Sequence, residues 1–203
     1  MIETAHNDPR DYTGAKLGMW FFLFTEILLF GGMFLLYAVY REKFTGDFHA
    51  AGMEMNIGLG AVNTLILLTS SLTMVLAISA IKRNERNRSL MLQAATIVLG
   101  AVFLVNKYFE WAGHIRRGFY PDSAELLAMG HGKVLFFGLY YVMTGIHGIH
   151  VLIGISVIGF MLALTARGSI SGGDYIKLEN AGLFWHLVDV IWIYLFPLFY
   201  LIL

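Results

Sequence analysis

The stretch from Lys133 to Arg167 reads KVLFFGLYYVMTGIHGIHVLIGISVIGFMLALTAR, and the rest of the chain is read around it. It exceeds the ~20 apolar residues that cross the hydrocarbon of a bilayer. Two histidines, His147 and His150, stand at its centre. A helical step of three sets them on neighbouring points of one face. Tyr140, Thr144, His147, His150 and Gly154 follow at steps of three or four, so a polar and small-residue stripe runs along an otherwise apolar rod. Such a stripe is expected to face protein, because imidazoles turned to lipid would have nothing to hydrogen-bond.

Composition agrees with a membrane protein. The 203 residues are 58% hydrophobic and only 14% charged, against about 25% charged in an ordinary soluble domain. Lys+Arg and Asp+Glu balance at 14 each, so no basic surface points to nucleic acid. With no cysteine, disulfides, thiolate chemistry, iron–sulfur clusters and cysteine-ligated metals are excluded.

Four further apolar runs flank the central one, giving an all-α, polytopic protein of five transmembrane helices in a single domain, 1–203. The spans are expected at about 16–40, 57–81, 90–112, 133–166 and 181–203. Residues 1–15 lack the basic region and short apolar core of a signal peptide and read as a retained polar tail. Glu26 falls about ten residues into the first span, ~15 Å along a helix and therefore near the midplane. Gly31 and Gly32 follow it, where a neighbouring helix could approach closely. Residues 41–56 read as a polar connection. The second span carries Asn63, Thr64, Thr69, Ser70, Ser71 and Thr73 for interhelical contacts. Lys107 and Glu110, in the last turns of the third span, can pair at i, i+3 or face a partner. His186 and Asp189 lie three apart in the fifth span.

Orientation is read from the basic residues on each side. Arg10, Lys16, Lys82, Arg83, Arg86, Arg88, Arg167 and Lys177 fall on one side, against Arg41, Lys43, Arg116, Arg117 and Lys133 on the other. The excess sits mostly in the short loop 82–89, which reads first as a topology determinant and second as a contact for anionic lipid or a partner. The N-terminus is accordingly expected in the cytoplasm and the C-terminus outside.

The candidate functional residues are the intramembrane polar ones: Glu26, Glu110, His147, His150, His186 and Asp189. Ionisable groups in hydrocarbon are costly and mark either function or a paired structural network. For Glu26, proton handling or lipid contact stands beside a structural bond to an imidazole on another helix. Two imidazoles at i, i+3 can converge on a metal or a haem, but no accompanying carboxylate or thiol pattern is evident. A hydrogen-bonded packing role is preferred for His147 and His150. His186–Asp189 has the spacing of an oriented imidazole, yet without a nucleophile setting it reads as a structural pair. No catalytic, cofactor-binding or metal-binding residue is assigned. A small b-type cytochrome joining His147 or His150 to His186 is disfavoured by their different depths. A proton-coupled transporter built on Glu26 is disfavoured by the absence of an internal repeat or broken helix pair.

Four motifs go further. TGIHGIHVLIG (Thr144–Gly154), FWHLVDVIWIYLFPLFYL (Phe184–Leu201), FFLFTEILLFGGMF (Phe21–Phe34) and NTLILLTSSLTM (Asn63–Met74) together make the chain resemble subunit III of the haem–copper respiratory oxidases along nearly its full length. The resemblance implies a non-redox subunit of a proton-pumping cytochrome c oxidase in a bacterial cytoplasmic membrane. Haem and copper would be held by partner subunits and none by this chain. Subunits I and II and membrane phospholipid are the implied partners. Stabilising the catalytic subunit, supporting proton uptake and protecting against turnover inactivation are the implied roles. Glu26 stands where the family carries a carbodiimide-reactive mid-membrane glutamate, and His147, His150, His186 and Asp189 match its intramembrane polar positions. Many members have two further N-terminal helices that form a lipid cleft, and this chain resembles the shorter, five-helix bacterial form. Quinol-oxidase subunit III and the accessory subunit of a nitric oxide reductase are the neighbouring readings. The FPLFYL ending resembles the cytochrome c type slightly more.

Overall fold

The computed structural model describes residues 12–201. The polar tail expected at the N-terminus therefore lies, up to residue 11, outside the described residues. Five long helices are apolar enough to cross a membrane: α1 (Tyr12–Lys43), α3 (Ile57–Lys82), α4 (Arg86–Arg116), α6 (His131–Ala166) and α7 (Ile176–Tyr200). Two short ones join them, α2 (Thr45–Gly52) and α5 (Ala124–Ala128). The only β feature among the described residues is an isolated bridge between Ser171 and Asp174.

The helices run past the apolar windows read from the sequence. Helix α4 begins at Arg86 rather than 90 and ends at Arg116, while α7 begins at Ile176 rather than 181. Hydropathy marks only the apolar part of each helix, whereas the extra turns carry charged, exposed residues (Arg41, Lys43, Arg86, Arg116). The polar connection 41–56 also proves structured. Phe48 of α2 is fully buried and meets the rings of Tyr37 and Phe136 edge-on. Ser123 caps α5 by accepting from the Leu126 amide at 3.1 Å.

The ends are set by turn chemistry. Helices α3, α4 and α6 each stop at a left-handed residue, Asn84 (φ 60°), Gly118 (φ 78°) and Gly168 (φ 79°). In each case the following amide reaches back to a carbonyl five residues earlier, Glu85 to Ala80, Phe119 to His114 and Ser169 to Leu164. This double-bonded stop satisfies carbonyls that the helix leaves open. The start of α3 is capped by Asn56, whose side chain accepts from the Leu59 amide at 3.0 Å.

Packing makes a closed ring of four helices in which α3 meets α4, α4 meets α6, α6 meets α7, and α7 returns to α3. Helix α1 lies outside this ring, over the seam between α6 and α7, and α2 covers one end of α6. The ring closes tightly around Trp185. A Cβ added at Gly100 of α4 or at Gly154 of α6 would lie 2.7 Å from the indole carbons, so the ring is gripped between two helix backbones. Its N–H donates to Ser70 Oγ of α3 at 3.1 Å. Gly31 and Gly32, by contrast, approach nothing: no atom lies within 4 Å of a Cβ built on either. The close helix contact expected there is not made within this chain.

The outer faces of α1, α3, α4 and α6 are lined with exposed large apolar residues, among them Trp20, Phe21, Leu65, Phe109 and Phe160. That surface suits hydrocarbon or another apolar subunit. Aromatic residues adjacent in the sequence fall on both sides of this division. Trp20 and Phe21 face outward, and Phe136 and Phe137 are core.

Candidate functional site

Two polar arrangements stand out. The first is buried. Lys107 Nζ lies 3.1 Å from Glu110 Oε2, 2.9 Å from the Tyr140 hydroxyl and 2.9 Å from the Tyr200 hydroxyl. Tyr140 and Tyr200 in turn donate to Glu110 Oε1, at 2.8 and 2.5 Å. An ammonium has three donors and no acceptor, so Lys107 is saturated by these three contacts. Glu110 receives three donors on its two oxygens. The charges cancel, all four side chains are buried, and the ammonium also lies over the rings of Tyr140, Trp192 and Tyr200. A buried pair persists in this form only when its remaining hydrogen-bonding capacity is met. The cluster ties α4 to α6 and α7 and has nothing left over for a ligand.

The second arrangement lies at the rim of the bundle, at the middle of α1 and α6. Glu26 Oε2 is 2.8 Å from His150 Nε2, and both side chains stay partly exposed. The other ring nitrogen, His150 Nδ1, is 2.8 Å from the Ile146 carbonyl. A carbonyl can only accept, so Nδ1 carries a proton. One further proton then lies between Nε2 and Oε2, whether it rests on the imidazole or on the carboxyl. In either form the pair as a whole is neutral, which is the inexpensive state inside a membrane. Phe30 and Phe184 wall the imidazole.

The remaining sequence candidates part company. The stripe on α6 does turn inward at Tyr140, Thr144, His147 and Gly154, while His150 is drawn to the rim by Glu26. His147 is fully buried, stacked on Trp192 at 5.4 Å and edge-on to Phe103 at 5.6 Å. Neither of its nitrogens has a protein hydrogen-bond partner, so the hydrogen-bonded packing role expected of it is corrected to packing by ring contact. His147 and His150 thus face different neighbours and do not converge on one point. His186 does not pair with Asp189. Its Nδ1 lies 2.7 Å from Ser71 Oγ on α3, a contact across the helix interface that the i, i+3 spacing could not reveal. Asp189 is buried facing the same serine, with neither carboxylate oxygen in a bond of ordinary geometry.

Several functional-looking side chains had no signal of their own in the sequence. Asn106 donates to Asn63 Oδ1 at 2.9 Å, and Gln93 of α4 reaches Thr165 of α6 at 3.2 Å. Tyr200 completes the lysine cluster from the last turn of α7. Each is a single polar residue on an apolar helix whose partner is far away in the chain.

The sequence that builds this arrangement has a counterpart among known families. The sequence profile of cytochrome c oxidase subunit III matches residues 2–202. The chain belongs to that family. Subunit III of Thermostichus vulcanus cytochrome c oxidase is 33% identical over 204 residues, covering 99% of this chain and 92% of the relative. A probable quinol oxidase subunit 3 of Staphylococcus haemolyticus is 29% identical, covering 96% of this chain and 93% of its own. A haem–copper oxidase subunit I+III of Aeropyrum pernix is 29% identical over 96% of this chain, which spans only 23% of that longer relative.

The chain is therefore a subunit III of the haem–copper oxidases, a multi-pass membrane component of an oxidoreductase complex. Membership in this family carries association with the catalytic subunits. In the Aeropyrum relative, subunits I and III carry one joint name. For subunit III the division of polar groups is informative. The neutralised lysine cluster belongs to the frame, and the Glu26–His150 pair is placed where a neighbouring molecule can reach it.

Proposed function

We propose that this chain is the non-redox subunit III of a proton-pumping cytochrome c oxidase in a bacterial cytoplasmic membrane. It docks beside subunit I in a complex completed by subunit II, with haem and copper held by those partners. Its N-terminus lies in the cytoplasm, where the basic loop 82–89 would hold it. Its roles are to stabilise the catalytic subunit and to support proton uptake.

The observation that carries this reading is the rim pair. Glu26 and His150 hold one proton between them at mid-span and remain partly exposed. A group that stores a proton without net charge is suited to pass it on to, or receive it from, an adjoining path. Partial exposure leaves that proton within reach of a neighbouring molecule, whereas the Lys107 cluster is enclosed. Membrane phospholipid is a further expected partner.

The test uses the oxidase complex purified with wild-type chain, with Glu26→Gln, and without the chain. Glu26→Gln is expected to assemble in normal yield while proton uptake slows and turnover inactivation comes sooner. Loss of the assembled complex would make Glu26 structural, and unchanged uptake and lifetime would remove it from proton handling.

A quinol donor is the second reading, because curated relatives bear quinol-oxidase names at 29–30% identity. A mild-detergent pull-down read by visible spectroscopy and mass spectrometry separates the two. Recovery of a copper-bearing second subunit supports cytochrome c, and recovery of a second subunit without copper supports quinol.

A further inference from the structure

Tyr140 and Tyr141 are adjacent on α6 and differ in one chemical respect. The Tyr140 hydroxyl donates to Glu110 Oε1 at 2.8 Å and accepts from Lys107 Nζ at 2.9 Å. The Tyr141 hydroxyl is buried with no hydrogen-bond partner among the described residues. Beside Tyr141 stands Trp111 of α4, whose buried indole N–H is likewise without one. The three rings stand in series. Trp111 and Tyr141 have centroids 5.1 Å apart, and Tyr141 and Tyr140 have centroids 5.3 Å apart. Gly145 fixes the outer member, since a Cβ built there lies 3.2 Å from Trp111 Cη2. Trp111 is also where the row surfaces, in a groove of about 280 Å³ between α4 and α6.

Taking one electron from a phenol makes its O–H a strong acid, so the radical settles where a base within hydrogen-bond reach takes the proton. Glu110 is that base for Tyr140, and for Tyr200 from the other side of the cluster. Tyr141 has none. An indole differs, because its radical cation keeps its N–H when no acceptor is at hand.

We propose that Trp111, Tyr141 and Tyr140 form an inward path for an electron hole, and that the Glu110 cluster is where the hole comes to rest. The oxidant is a one-electron oxidising radical that reaches the α4/α6 face. It takes one electron from Trp111, which becomes a radical cation. Tyr140 then gives one electron, through the Tyr141 ring, to Trp111 and its hydroxyl proton to Glu110 Oε1. The indole is restored, Tyr140 is a neutral phenoxyl and Glu110 a neutral acid. The one positive charge left is the Lys107 ammonium. It already lies over the rings of Tyr140, Trp192 and Tyr200 and still donates to the phenoxyl oxygen. The cluster thus has a redox use beside its structural one. It rests neither on the oxidase partnership nor on Glu26, so each can fail without the other.

The experiment uses the purified full chain carrying Trp20→Phe and Tyr108→Phe, which removes two exposed competing rings. The two other indoles, Trp185 and Trp192, are fully buried. Pulse radiolysis supplies the azidyl radical, a one-electron oxidant of indoles, and absorption follows the two radicals. The indole signal is expected to decay as a phenoxyl signal rises, in one step independent of protein concentration. That step should be slower in chain produced and purified in D2O. Trp111→Phe should lose both signals. Tyr141→Phe keeps the ring and should keep the phenoxyl in full. Neither variant removes a hydrogen bond, and a thermal midpoint equal to that of the parent chain confirms the fold. Tyr140→Phe should lose most of the phenoxyl. Four results would each overturn the proposal: an indole signal that decays with no phenoxyl, equal rates in H2O and D2O, a phenoxyl lost in Tyr141→Phe, and a phenoxyl undiminished in Trp111→Phe. The last three need only variants that keep every bond of the cluster, so the test stands even if Tyr140→Phe does not fold.

Discussion

Lys107 has no donor left once Glu110, one turn further along α4, and the hydroxyls of Tyr140 and Tyr200 have each taken one. Three helices thereby meet at a neutral point in the interior. Removing one charge leaves the other buried and unpaired, at about 3–5 kcal/mol. Lys107→Met and Glu110→Leu are each expected to lower the thermal midpoint and yield of the purified chain severely. The double variant should recover most of the loss, because an apolar pair of similar volume is often neutral or better. A double variant worse than either single one would show that the tyrosines depend on the charges for their own placement.

His147 makes no protein hydrogen bond, so its contribution is the shape of its ring between Trp192 and Phe103. His147→Phe keeps a flat ring and removes two unsatisfied nitrogens, and is expected to change stability by less than about 1.5 kcal/mol. His147→Ala opens a cavity and should cost about 2–5 kcal/mol. Thermal unfolding of the two variants side by side checks this, and a Phe variant as poor as the Ala variant would refute it.

Gly154→Ala drives a methyl to 2.7 Å from Trp185, an overpacking expected to cost about 1–3 kcal/mol. Gly159, one and a half turns along the same helix, has nothing within 4 Å of its Cβ position. Gly159→Ala should be neutral or stabilising by up to about 1 kcal/mol, since alanine is the better helix former. Equal melting temperatures for the two variants would contradict the grip on Trp185.

If Glu26 and His150 act as one proton-holding unit, their substitutions are not additive. Proton uptake by the complex should fall by the same factor for Glu26→Gln, His150→Gln and the double variant. A double variant slower than either single one would mean that the two groups serve separate steps.

Much of the architecture was legible in the apolar runs, because a span must be long and uncharged whatever it packs against. The inward turn of Tyr140, Thr144, His147 and Gly154 followed from helical period. What periodicity could not supply was the partner across an interface. His186 and Asp189 are neighbours on one helix, yet His186 bonds to Ser71 on another. Tyr200 carries no mark distinguishing it from Tyr194, although one completes the buried cluster and the other faces outward. Gly31 and Gly32 have the composition of a helix contact and make none in this chain. Helix α2 escaped notice because eight residues with a single large anchor, Phe48, give no period to detect.

Helix α1 is fastened by polar contacts at three levels along its length: Lys16 and the Ala15 carbonyl to Glu179 and Asn180, Glu26 to His150, and Tyr37 to the Leu198 carbonyl. All three fasteners belong to α6 or α7, the last two long helices in the chain. Synthesis runs from the other end, so α1 enters the bilayer before any of its partners exists. Until they arrive, Glu26 has only lipid, or another protein, to shelter it.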